Sequence, residues 1–301
     1  MFRIAQISDT HLSADKPFFV ENFERTIEAV ADAAVDLVVN TGDISLDGAG
    51  AEAELAAAAE LHRQIAVPLR TLPGNHDIGD NADVPAPPGH ADHAVTAERR
   101  QRYLRQFGAD WWCLDVPGWR LVGCNSLLFG SGLPEELEQA VFLRNATEGA
   151  GSRRLALFGH KPVCDRALDE SEIGGRFLNP DARAALLDCL AAPVAVMACG
   201  HVHQFRDAMV GGTRHVWAPS TGFVLPDFIQ PRYGVKRVGW VEHRFHPDGQ
   251  YACALMDVAD ASLLQITDFP GAYGAFWDER GGRRSPALVL PAAHDSAQSS
   301  L

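Results

Sequence analysis

The 301-residue chain has no apolar run approaching 18 residues, which excludes a transmembrane helix. Cysteine is scarce and unpatterned. The six at positions 113, 124, 164, 189, 199 and 253 make no C-x-x-C step and no tight cluster, so they read as reduced, mostly buried thiols and not as a disulfide frame. Positive charge is also short, with 26 Lys and Arg against 39 Asp and Glu for a net charge of −13. Binding to long nucleic acid needs a basic face and is not expected. The opening Met1-Phe2-Arg3-Ile4-Ala5-Gln6-Ile7 lacks the charged segment, apolar core and cleavage site of a signal peptide and enters a strand at once. The expected setting is the cytoplasm, with no membrane partner. What remains is ordinary globular composition, 47% hydrophobic and 22% charged, long enough to bury roughly 75% of its unfolded surface.

The first part alternates strand and helix. Phe2–Ile7, Leu37–Thr41 and Val67–Leu72 are apolar runs of strand length. Between them, Asn22–Ala34 places Phe23, Ile27, Val30 and Ala34 on one helical face, and Glu52–Ile65 does the same with Leu55, Ala58, Leu61 and Ile65. This βαβαβ order predicts a parallel sheet with right-handed crossovers. Residues 78–95 form a long Pro-rich loop carrying His90 and His93, of the kind that is either a functional lid or disordered, its histidines either solvated or in touch with substrate. A helix near Thr96–Phe107, a hairpin of Trp112–Val116 and Trp119–Asn125, a helix near Glu135–Ala146, and strands at Leu155–Phe158 and Val194–Ala198 follow. After residue 207, Ala208–Val210, His215–Ala218, Arg237–Phe245 and Tyr251–Met256 read as strands joined by tight turns. Residues 1–284 are expected to be one domain of two sheets packed face to face with helices outside, and 285–301 a mobile tail.

Seven metal-ligating side chains sit just past the ends of these strands, in Asp9-Thr10-His11, Gly42-Asp43, Gly74-Asn75-His76-Asp77, Gly159-His160 and Gly200-His201-Val202-His203. Parallel sheets present their ligands at the carboxyl ends of strands. The mixture of hard oxygen and imidazole nitrogen suits a pair of transition-metal ions. Asp9 and His11, like His201 and His203, are two apart, so an extended backbone would point both side chains the same way. The glycines at 42, 74, 159 and 200 would let the chain turn sharply. Asp43 is the natural bridge, because a carboxylate can reach two ions. His76 follows a ligand directly and could protonate a departing alkoxide. Asp77 is expected to orient a neighbour or cap the next turn. Lys161 is expected to pair with Asp165 or, alternatively, to clamp phosphate.

These five segments, in this order, resemble the calcineurin-like metallophosphoesterases, whose pattern D-x-H, G-D, G-N-H-[DE], H and G-H-x-H they match from residue 9 to residue 203. The resemblance implies a four-layer α/β/β/α sandwich of two mixed β-sheets flanked by helices. It implies that Asp9, His11, Asp43 and His203 bind one metal, that Asp43, Asn75, His160 and His201 bind a second, and that His76 is the catalytic histidine. The pair would be divalent or mixed-valence iron, manganese, zinc or cobalt. Within the family, Arg3 to Leu12, Gly200 to Gln204, Ala218-Pro219-Ser220-Thr221 and Gly239 to Gly249 are similar to bacterial class III cyclic-nucleotide phosphodiesterases and their glycerophosphodiesterase relatives. Where that group often reads H-H-P-P, this chain has His160-Lys161-Pro162, which places a cation beside the fourth ligand.

The expected function is hydrolysis of a small phosphodiester by attack of a metal-bridged hydroxide, with Lys161, His90 and His93 as substrate contacts. The rivals are a phosphomonoesterase or nuclease of the same fold and a non-catalytic scaffold. Such scaffolds usually lose ligands that are all present here. Homo-oligomer formation is left open by the sequence.

Overall fold

The computed structural model describes residues 1–82, 84, 93–171, 174–269, 272, 277–278 and 283–284. Strand β1 (Phe2–Ile7) is followed by α1 (Val20–Asp32), β2 (Leu37–Asn40), α2 (Glu52–His62), β3 (Leu69–Thr71) and the single turn α3 (Asn75–Ile78). Then come α4 (Ala97–Phe107), the hairpin β4 (Trp112–Val116) and β5 (Trp119–Gly123), α5 (Pro134–Glu148), β6 (Arg154–Phe158), α6 (Pro180–Asp188) and β7 (Val194–Cys199). The hairpin β8 (Arg206–Val210) and β9 (Thr213–Trp217) and the hairpin β10 (Gly239–Phe245) and β11 (Tyr251–Asp257) complete the main body.

Two mixed sheets result. The first has the order β11-β10-β1-β2-β3, with β1, β2 and β3 parallel as the βαβαβ pattern predicts and β10 and β11 added antiparallel. The second has the order β4-β5-β6-β7-β9-β8, parallel from β5 to β9 with antiparallel edges. Their inner faces meet in an apolar seam where Ile4, Val39, Val241 and Phe245 of the first pack on Trp119, Phe158, Val196 and Val216 of the second. Burying each large side chain is worth roughly 1.5–3 kcal/mol. On the far side of the first sheet, Phe23 and Val30 of α1, Leu55 and Ala58 of α2 and Tyr103 of α4 cover Ala5, Ile7 and Val38. On the far side of the second, Leu143 of α5 and Leu186 of α6 cover Val122, Leu155 and Leu157. The architecture is the four-layer α/β/β/α sandwich.

Several boundaries differ from the sequence pattern. Helix α1 stops before Ala34, which adopts a left-handed φ of 51°. Helix α6 was not foreseen, although Asn179-Pro180 marks its start. Asn179 accepts a hydrogen bond from the Ala182 amide at 2.6 Å, and proline fits the first helical position. The loop expected over 78–95 is closed at its base by Asp80 N–H to His93 C=O and Val95 N–H to Asp80 C=O. Residues 83 and 85–92, with His90 among them, and the tail expected over 285–301 lie outside the described residues. Among the described residues no helix is long and apolar enough to cross a membrane.

Candidate metal centre

The strands β1, β2, β3, β6 and β7 all end at one edge of the sandwich, and the loops after them carry the seven side chains. Asp9, His11, Asp43 and His203 offer ligand atoms that lie within 4.8 Å of one another, and so do Asp43, His160 and His201. Asp43 is common to both groups. The Asn75 Oδ1 joins the second, 3.1 Å from His160 Nε2. All are buried except His201, which is partly exposed.

The loops do not continue as extended chain. Asp9, His11, Asp43, His201 and His203 all have φ between 46° and 65°, the left-handed region that Asp and His tolerate better than most residues. The paired ligands of each D-x-H or H-x-H step therefore converge through tight left-handed turns, and not by the alternation of a strand. Loop-to-loop bonds hold them there: Asp9 N–H to Gly42 C=O at 2.9 Å, His11 N–H to Asp43 C=O at 3.0 Å and Gly200 N–H to His160 C=O at 2.9 Å. The glycines also serve differently from the expectation. Gly42 alone of the four turns left-handed, with φ of 104°. A Cβ on Gly74 would strike the Asp43 backbone and carboxylate, and one on Gly200 would strike Ser8 Oγ, so these two are needed for close approach. Gly159 has ordinary room, with a Cβ 3.5 Å from Cys124 Sγ.

The donor chemistry shows what the cluster can hold. His160 Nδ1 lies 2.8 Å from the Thr41 carbonyl and His203 Nδ1 3.2 Å from the Phe223 carbonyl. A carbonyl only accepts, so each Nδ1 carries a proton, and in the neutral ring each Nε2 presents a lone pair. Around His160 Nε2 stand Asn75 Oδ1 at 3.1 Å, His201 Nδ1 at 3.1 Å and Asp43 Oδ1 at 3.3 Å. Around His203 Nε2 stand His11 Nε2 at 3.2 Å and Asp9 Oδ1 at 3.3 Å. Acceptors that face acceptors at these distances need a cation or a proton between them. In the cation-free protein a proton meets the demand at His160. Burial opposes its charge, but Asp43 and Asp9 outweigh burial and push its pKa up to about 9. Asp43 is held well below the carboxylate range, because His160 and His76 overcome its own burial. Burial and then the neighbouring imidazoles push His11 and His201 down, leaving them neutral and fit to ligate. The residues fit a pair of cations sharing Asp43.

His76 is half-buried. Its Nδ1 lies 2.9 Å from the Leu46 carbonyl and its backbone amide donates to Asp43 Oδ1 at 2.8 Å. Its ring stands edge-on to His11 at 4.8 Å. Asp77 is buried and accepts from Ile44 N–H, from Ser45 N–H and Oγ, and from Gly74 N–H, tying the β2 loop to the β3 loop. Burial, then the nearby Asp43, raises its pKa.

Two expectations need correction. Lys161 does not pair with Asp165, which is taken by Arg206 at 2.5 Å. Its side chain is fully buried against Asp80, so it is not open to a substrate phosphate. The partner was hidden because Asp80 is 81 residues away in sequence. His93 leans on the same Asp80, Nε2 to Oδ2 at 3.6 Å, with its side chain a quarter exposed. Burial works against the Asp80 charge, but Lys161 and then His93 hold its pKa well below the usual range.

Comparison with known proteins gives a consistent picture. The family profile described as calcineurin-like phosphoesterase matches residues 2–205. The chain is 31% identical over 280 residues to the 3',5'-cyclic adenosine monophosphate phosphodiesterase CpdA of Pseudomonas aeruginosa, covering 85% of this chain and 90% of that one. It is 25% identical over 222 residues to the protein named "Probable glycerophosphodiester phosphodiesterase GpdQ" of Arcobacter nitrofigilis, covering 67% and 71%. Among solved structures it superposes on purple acid phosphatase PPD1 of yellow lupin with a TM-score of 0.57 at 14% identity, covering 87% of this chain and 52% of that one. It superposes on GAP50, the anchor in the inner membrane complex of Plasmodium, with a TM-score of 0.55 at 14% identity, covering 87% and 86%. These two likenesses concern the fold alone.

Proposed function

This chain belongs to the calcineurin-like phosphoesterase family of phosphoester hydrolases, and we propose that it is a two-cation phosphodiesterase of small diesters, of the cyclic-nucleotide or glycerophosphodiester type. The observation that carries the reading is the sharing of Asp43 between two ligand groups. In it, Asp9, His11, Asp43 and His203 would hold one ion, and Asp43, Asn75, His160 and His201 the other. When bound, such a pair would supply Lewis acidity toward a phosphoryl oxygen and a lowered pKa for a bound water.

The chain's own residues do the rest. Asp43, fixed by the His76 amide, sets the spacing of the two groups. The Leu46 carbonyl orients His76 through Nδ1, and the ring would deliver a proton from Nε2 to the leaving oxygen. With Lys161 neutralised by Asp80, it is not available to hold the second charge of a monoester dianion. That supports diesters, as do the names of the relatives. The free cysteines fit a reducing compartment, and the cytoplasm is the setting we infer.

The test is a hydrolysis panel with manganese-loaded protein, comparing bis-nitrophenyl phosphate, nitrophenyl phosphate, cyclic AMP and glycerophosphocholine. We expect kcat/KM for the nitrophenyl diester to exceed that for the monoester by about tenfold, roughly 1.4 kcal/mol of transition-state discrimination. A clear monoester preference would overturn the diesterase reading and promote a phosphatase.

A further inference from the structure

Each ligand group draws on both sheets. Asp9, Asp43 and Asn75 stand on loops of the first sheet, and His160, His201 and His203 on loops of the second. The spacing of the site is therefore set by the spacing of the sheets at one end of their seam. That seam is mostly apolar, and apolar burial is non-directional. It brings the sheets together without fixing atoms to a few tenths of an ångström.

One polar chain runs through the seam. Gln6 on β1 is fully buried. Its Nε2 donates to Thr41 Oγ1 at 3.0 Å and to the Cys199 carbonyl at 3.0 Å. Thr41 and Cys199 are the residues just before Gly42-Asp43 and Gly200-His201. The Thr41 carbonyl also holds His160 Nδ1. On its other side, Gln6 Oε1 lies 2.9 Å from His243 Nε2, and His243 Nδ1 lies 2.6 Å from the Tyr251 hydroxyl. The direction of every bond follows from Cys199, whose carbonyl can only accept. The amide NH₂ must face it, so Oε1 faces His243. His243 then donates from Nε2 and accepts from Tyr251 at Nδ1. Burial lowers the His243 pKa to about 3, which keeps the ring in this neutral form. Both ends of the Gln6 amide are engaged, and its polar atoms avoid the cost of unpaired burial.

We propose that Gln6, oriented by His243, is a positioning residue that clamps the β2 and β7 ligand loops together across the seam and so sets the spacing of the first-sheet ligands against the second-sheet ligands. The metal side of this inference rests on the two-cation reading above.

The test uses Gln6→Met, which keeps the length and removes the amide, and the double variant Gln6→Met/His243→Phe. The single variant strands the His243 N–H in the core. The double variant removes the stranded N–H along with the amide and leaves the Tyr251 hydroxyl and the Thr41 and Cys199 acceptors short of this one bond, so it is milder than the single variant but not neutral. Amide hydrogen exchange of residues 41–43 and 199–201 is followed in metal-free full-length protein, and Mn²⁺ binding is titrated separately. We expect the double variant to be more stable than the single one while both loops still exchange at least tenfold faster than in wild type. The second Mn²⁺ should bind about tenfold more weakly, as happens when support behind a ligand is lost. Wild-type exchange at both loops in the double variant would overturn the clamp, whatever the metal data show. Exchange that returns to normal together with stability would reduce Gln6 to ordinary packing and overturn it equally. If wild-type protein takes fewer than two Mn²⁺ per chain, the two-cation reading fails, and the exchange result still decides the clamp.

Discussion

Lys161→Met should destabilise the metal-free protein by about 3–5 kcal/mol at pH 7.5, the usual cost of breaking a buried ion pair by removing one partner. Lys161 and Asp80 are each 3% exposed, so water cannot take the place of the missing ammonium. The Asp80 carboxylate would keep the Asn81 amide at 2.7 Å and the more distant His93, which do not supply a full counter-charge. The pH dependence has a definite sign. In wild type the folded pKa of Asp80 is depressed, so its contribution is present above the unfolded value of about 3.9 and is lost as pH falls through the folded one. In the variant, burial is no longer outweighed and the folded pKa rises above the unfolded one. That penalty is full at high pH and fades as pH falls through the raised value. The deficit against wild type should therefore shrink between pH 7.5 and pH 5. Urea unfolding of chelator-treated protein at both values measures it, with metal release removed as a confounder. Asp80→Asn/Lys161→Met, which leaves no orphan charge, should regain most of the loss. A deficit under about 1 kcal/mol at pH 7.5, or one that widens at pH 5, would refute the buried-pair reasoning.

Asp43→Ala should lower metal content in both groups and abolish activity; two metals per chain by elemental analysis would argue against Asp43 as the shared ligand. His76→Ala should keep the metals and slow turnover by about 10²–10⁴-fold for a poor leaving group. It should slow turnover less for nitrophenolate, and an equal loss for both would move His76 from proton donor to transition-state binder. Chelation should lower the melting temperature, since an ion present at 100 times its dissociation constant adds about 2.7 kcal/mol; an unchanged melting curve would show that the site is not loaded.

The convergence of the candidate ligands at one edge is legible in the sequence because each follows a short apolar strand, and a parallel sheet gathers strand ends there. Asp9, Asp43, Asn75, His160 and His201 could be picked out on that ground alone. The way they converge was not legible. Nothing in the spacing of Asp9 and His11 distinguishes an extended step from two left-handed residues, because the choice is made by bonds to Gly42 and Asp43, more than thirty residues away. The partner of Lys161 was lost for the same reason. So was the role of Gln6, which reads as an ordinary polar residue on a strand and acquires its meaning only from Cys199 and His243 on other strands. Helix α6 was a different failure, because its Asn179-Pro180 start is a local signal that outweighs its indistinct apolar face.

The left-handed residues carry an argument of their own. Among the described residues seven non-glycines have positive φ, and five of them are Asp9, His11, Asp43, His201 and His203. Each such conformation costs of the order of 1–3 kcal/mol and persists only where its surroundings over-determine it. Here they do, since the loops are bonded to one another and not only to their own strands: β1 to β2 through Asp9 and Gly42, β6 to β7 through His160 and Gly200, and the two sheets through His201 N–H to the Asp9 carboxylate at 3.0 Å. A chain selected for stability alone would relax these turns. Their concentration on the residues that face one another with lone pairs is what a fold looks like when backbone strain is accepted to hold a cluster able to bind metal in a fixed arrangement. Asp and His fill both requirements, because they are metal ligands and are also among the few residues that enter the left-handed region readily.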